Sequence, residues 1–77
     1  MESVISARPR DDFHLELKFH TGETWLFDAR PYLSKGVFQR LQDQQLFNQV
    51  YVVFGTVCWP RNLDIAPETL YDKSVPI

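Results

Sequence analysis

This chain of 77 residues has a single cysteine, Cys58, only two histidines, and no long apolar run. One thiol excludes an internal disulfide, the usual staple of small secreted domains, so a reducing compartment is the simpler setting. No stretch approaches the ~20 apolar residues of a membrane-spanning helix. The opening residues Met1-Glu2-Ser3-Val4-Ile5 lack the basic region and apolar core of a secretory leader. A soluble, cytoplasmic protein without a membrane partner is expected. An excess of positive charge is missing too: ten acidic residues stand against eight basic ones, for a net charge of −2, with the signs interspersed. Nucleic-acid binders carry a basic stripe that releases counterions from phosphates. The nearest approach, Arg8-Pro9-Arg10, is cancelled by Asp11-Asp12, so direct nucleic-acid binding is not expected.

Aromatic residues are plentiful: two Trp, three Tyr and six Phe. A domain of this size buries only roughly 60–65% of its unfolded surface, which allows one core and a thin stability margin. Rings that each remove on the order of 150–250 Å² from water partly compensate. Over residues 13–19 the apolar side chains alternate, with Phe13, Leu15, Leu17 and Phe19 on one face and His14, Glu16 and Lys18 on the other. That period predicts a half-buried strand. Thr21-Gly22 and a second run of strand formers, residues 23–28, complete a hairpin. A two-residue turn would pair Leu17 with Leu26 and turn Trp25 and Phe27 to solvent. A three-residue loop with Gly22 left-handed pairs Leu17 with Trp25 and Leu15 with Phe27, burying both rings, and is the expected register.

Residues 4–8 predict a further strand, ended by Pro9, which has no N–H for a central position. Arg30-Pro31 sets an extended residue before a helical turn. Val37, Phe38 and Leu41 then recur at helical spacing, and Asp43 is a plausible N-cap for a turn over residues 44–47. Residues 50–53 and 56–59 predict a second hairpin around Phe54-Gly55. Pro60 ends it, Asn62 suits a left-handed position, and Pro67 starts a last helical turn. These signals predict a single α+β domain over residues 1–71, a small antiparallel sheet built from two hairpins and covered on one face by short helical turns, followed by a loose tail over residues 72–77.

No arrangement of side chains has the spacing of a catalytic or metal centre. His14 and His20 lie too far apart along one hairpin to supply the three or four convergent ligands a metal needs, so no metal and no cofactor are expected. Asp28 and Asp64 each precede a proline-entered turn. Neither is placed to form a catalytic pair with the other, and both are expected to accept backbone amide hydrogens. Cys58 alternates with apolar neighbours and reads as an inert thiol, since no base or electropositive setting accompanies it. Tyr51, Phe54, Trp59 and Tyr71 could stack on bases, but only Arg61 accompanies them, so packing and contact are the better account.

Two ordered signatures remain. One is Phe27-Asp28-Ala29-Arg30-Pro31-Tyr32-Leu33 with Lys35-Gly36, Phe38 and Leu41; the other is Trp59-Pro60 with Leu63-Asp64-Ile65-Ala66-Pro67-Glu68-Thr69-Leu70-Tyr71. Together they resemble a family of small prokaryotic proteins, domain of unknown function 2442, over about residues 4–71. The resemblance implies a small α+β fold and brings no catalytic or binding residues with it. Relatives are sometimes fused to a helix-turn-helix domain or encoded beside another small protein, which implies a partner-binding or regulatory role, antitoxin-like in the second arrangement. A helix-turn-helix segment has no counterpart in these residues. The family often carries a longer, more polar turn where this chain has Phe54-Gly55.

The expected function is accordingly a non-enzymatic interaction or regulatory module. Tyr51 and Phe54 are its candidate contact residues, toward a protein partner or a second copy. The alternative is a sensor of a small anion near Arg30 and Tyr32, with Trp25 lining the pocket and the Arg30 fork reading the anion bidentately. An enzyme, needing a titratable pair of the Asp28 and His14 kind, ranks third.

Overall fold

The computed structural model describes residues 3–77. Met1 and Glu2, which entered the leader and domain readings above, lie outside them. Strands β1 (Val4–Pro9), β2 (His14–Phe19) and β3 (Thr24–Asp28) are followed by two 3-10 segments, Arg30–Tyr32 and Gly36–Gln42, and helix α1 (Gln44–Phe47). Then come β4 (Tyr51–Val53), β5 (Thr56–Trp59), β6 (Leu63–Asp64), helix α2 (Pro67–Lys73) and β7 (Ser74–Pro76). The class is α+β, all strand pairs being antiparallel.

The first hairpin has the expected register, Leu17 opposite Trp25 and Leu15 opposite Phe27. Its loop closes with the Gly22 N–H donating to the Phe19 carbonyl at 2.8 Å, and Gly22 takes φ +91°. That geometry belongs to the three-residue loop, since Thr21 is spared the positive φ a two-residue turn would impose. Leu15, Leu17 and Phe27 are fully buried. Trp25 is half-buried at the end of the sheet, its ring stacked on Tyr71 at 5.0 Å and its indole N–H donating to Glu23 Oε1 at 3.2 Å.

Three expectations change. The two hairpins do not share a sheet: one sheet has the order β1-β2-β3-β7 and the other β4-β5-β6. Their facing apolar sides make one core, with Phe19, Phe27, Phe47, Val57, Trp59 and Leu70 inside. The tail is not loose. Ser74–Pro76 pairs with β3, Val75 opposite Leu26, because the outer edge of β3 would otherwise leave its backbone groups unpaired. The Ile77 N–H donates to Thr24 O at 3.1 Å, which turns the backbone groups of Val75 toward Leu26. On the far edge Pro76 has no N–H and the Ser74 N–H is taken by Leu70 O, so residues 74–76 present no free donor to another strand. Third, Phe13 stands before the strand at φ 62°, and its ring meets Phe47 edge-on at 5.2 Å.

The 3-10 segment Gly36–Gln42 buries Leu41 and half-buries Phe38 but leaves Val37 56% exposed. At three residues per turn positions 38 and 41 eclipse and 37 falls off their stripe. Asp43 caps α1 as expected, its carboxylate accepting from the Gln45 N–H at 3.0 Å. In the three-residue connection from β5 to β6, Asn62 is left-handed at φ 64° and Arg61 is too, at φ 71°. Pro9 closes β1 on the outside edge of its sheet, where a missing N–H is tolerated.

Candidate functional site

The β4–β5 hairpin is the most unusual surface feature. Val53 pairs with Thr56, so only Phe54 and Gly55 turn the chain, at φ 53° and 76°. A two-residue turn matched to strand twist needs positive φ at both positions, which Asn-Gly satisfies and a phenylalanine does poorly. The ring gains no burial in return: Phe54 is 96% exposed, and Tyr51 on β4 is 49% exposed. The chain end does not cover the ring either: residues 75–77 are paired to β3 and leave it bare.

The tip is held from behind. The Val4 N–H donates to Gly55 O at 2.9 Å, the His20 N–H donates to Ser3 O at 2.8 Å, and the Ser3 N–H donates to His20 Nδ1 at 3.1 Å. A Cβ on Gly55 would meet Ser3 Oγ at 3.1 Å and Ser3 Cβ at 3.2 Å. Both hairpin tips are thus stitched to the start of β1, and Phe54 projects from a clamped support.

Arg30 and Tyr32 are committed elsewhere. Arg30 folds back onto Asp28, with Nε to Oδ1 and Nη2 to Oδ2 both 2.9 Å, and its own N–H donates to Asp28 Oδ1 at 2.9 Å. The carboxylate is therefore a turn cap, as expected, and an ion-pair partner as well. The Arg30 hydrogen bonds outweigh partial desolvation and hold the Asp28 carboxyl down at about 2. Tyr32 stacks on Phe27 at 5.7 Å, with Lys35 Nζ 5.6 Å from its ring centre. Because Trp25 stacks on Tyr71 and Tyr32 on Phe27, the three residues of the anion-sensing reading are each taken by a different neighbour.

Asp64 corrects an expectation. It lies exposed on β6 opposite Cys58, and among the described residues its carboxylate accepts no backbone hydrogen bond. The short β6 strand aims it outward, away from the turn amides. Burial, and then the Asp64 charge, push the Cys58 thiol up, opposite to the thiolate a nucleophile needs. Trp59 is fully buried, its indole N–H donating to Phe47 O at 2.9 Å, so the four aromatics do not share a stacking platform. No group of three or more His, Cys, Asp or Glu among the described residues could hold a metal ion, and no helix among them is long and apolar enough to cross a membrane.

The expected hairpin register, continued one pair beyond Leu15 and Phe27, sets His14 across from Asp28, and the structure adds Asp12. His14 Nδ1 lies 3.2 Å from Asp12 Oδ1, and Nε2 lies 3.8 Å from Asp28 Oδ1. Loss of hydration pushes the Asp12 carboxyl up, but His14, Arg10 and amide hydrogen bonds together hold it below its usual value. The signal that could have found this was the Asp-x-His spacing before β2, invisible until the left-handed Phe13 folds the loop back.

Two antiparallel sheets around one aromatic core, with a projecting hairpin tip, define a small α+β domain. The family model described as protein of unknown function (DUF2442) matches residues 4–76. The chain belongs to this family. No curated protein and no solved structure matches it.

Proposed function

We propose that this domain is a non-enzymatic protein-contact module, acting in the cytoplasm, and that the β4–β5 hairpin tip is its contact surface. The observation that carries the reading is Phe54, a large ring 96% exposed at positive φ. It is unfavourable twice over, in hydration and in backbone conformation. A protruding aromatic with a second exposed ring nearby, Tyr51, has the character of an interface anchor, since buried aromatics dominate protein–protein contacts. The occupied fork of Arg30 favours this reading over anion sensing.

The test is Phe54→Ser, examined by sedimentation and by affinity co-purification from native cells with mass spectrometry. The expected result is loss of self-association or of a stoichiometric partner at an unchanged melting temperature. An unchanged association state together with a lowered melting temperature overturns the proposal, because the ring would then be structural.

A further inference from the structure

Away from the hairpin tip, the loop of residues 10–13 and the start of β2 carry a second arrangement that the contact function does not use. Phe13 is a bulky residue at φ 62°, a conformation that persists only where its surroundings over-determine it. Its N–H donates to Arg10 O at 3.3 Å and its carbonyl accepts the Ala29 N–H at 3.0 Å. The loop is therefore tied to the residue that leads from β3 into the Arg30 turn. Its ring leans on Phe47.

Charged groups surround this strained corner. His14, whose side chain is only 15% exposed, sits between the Asp12 carboxylate in the loop and the Asp28 carboxylate on β3. Arg10 reaches Asp12 at 3.7 Å and Glu16 at 3.8 Å. Arg30 holds both oxygens of Asp28, sharing Oδ1 with His14, and Arg8 stands across from Glu16 on β1. Two carboxylates, Asp12 and Asp28, thus face His14, while Arg10 bridges Asp12 to Glu16 and Arg30 pairs with Asp28.

A neutral imidazole has one N–H. Spent at Nδ1 toward Asp12, whose carbonyl is also 3.1 Å away, it leaves a lone pair at Nε2 pointing at the Asp28 carboxylate. An imidazolium has a donor on each nitrogen and a charge that both carboxylates attract. Histidine is the side chain whose ordinary charge change falls between pH 5 and 8.

We propose that His14 is a pH-operated clasp: as imidazolium it bridges Asp12 in the loop to Asp28 on β3 and holds the strained Phe13 corner shut, and as neutral imidazole it holds Asp12 alone and lets the corner open. The clasp sets how tightly the Ala29 N–H is held by Phe13 O, and with it the rigidity of the turn that begins at Arg30.

The experiment is amide hydrogen exchange by NMR at pH 5 and pH 8, corrected for intrinsic rates and referenced to the core amide of Leu17, in the wild type, His14→Gln and Asp28→Asn. In the wild type, Ala29 protection is expected to be about two- to fivefold greater at pH 5, the range of one or two exposed ion pairs. In both variants the ratio is expected to fall to about one. A wild-type ratio of one overturns the proposal, as does a ratio retained in His14→Gln. If His14→Gln does not fold, Asp28→Asn decides alone, and a retained ratio there overturns it equally.

Discussion

Replacing Phe54 by asparagine should make this protein more stable while removing its most prominent aromatic. The ring is 96% exposed, so the 4% that is covered amounts to roughly 10 Å², and its loss costs about 0.2 kcal/mol at ~25 cal/mol per Å². Against this stands the backbone. Phe54 occupies φ 53° and Gly55 φ 76°, and an L-residue held in the left-handed region costs on the order of 1–2 kcal/mol, much of which asparagine avoids. The net gain is about 1 kcal/mol, which for a domain of this size raises the melting temperature by roughly 4–8 °C. Thermal and urea unfolding followed by circular dichroism measure it, with an unchanged m-value as the check that only stability moved. A fall in melting temperature would refute the reasoning, since it would mean the ring carries packing that its exposure denies. Read beside an association assay, the same variant separates contact from folding: a more stable protein that no longer associates is what a surface anchor predicts.

Four further outcomes follow from the packing, the charges and the backbone. Phe27→Ala, at a fully buried position, should cost about 3–5 kcal/mol and unfold the domain or nearly so, while Leu26→Ala on the outer face should cost far less; chemical denaturation of the pair measures the difference, and reversed costs would contradict the register. The Asp28 carboxyl is depressed from 3.8 to about 2, first by the Arg30 side chain, so its stabilisation is present above about pH 4 and lost as pH falls from about 4 to 2. Screening at a side chain 37% exposed brings the contribution to about 1 kcal/mol. Arg30→Ala should therefore lower stability at pH 6 and leave it nearly unchanged at pH 2, whereas Asp64→Ala, which breaks no hydrogen bond, should stay within about 0.5 kcal/mol in thermal melts. Gly55→Ala combines positive φ with a close approach to Ser3 and should cost about 1–2 kcal/mol, read as a lowered urea midpoint.

Residues close in sequence determined a good part of this protein unaided. Alternation from Leu15 to Phe19 and the placing of Gly22 decide the first hairpin's register, because a one-residue slip would invert every side chain. Asp43 capping α1, Asn62 turning left-handed and Asp28 capping the Arg30 turn are contacts over a few residues, set by backbone chemistry that any surroundings would leave in force. Only the tertiary structure decided the rest. That the hairpins lie in separate sheets, and that Ser74–Pro76 completes the first of them, depends on which free edge meets which segment across some fifty residues of chain. Local pattern holds no term for that choice, since many segments can satisfy an open edge. Phe13 leaves its alternating pattern because its ring finds Phe47, and this in turn carries Asp12 to His14. Phe54 stays bare for the converse reason: its turn is held at the start of β1, and the chain end is paired to β3 at the opposite edge of that sheet.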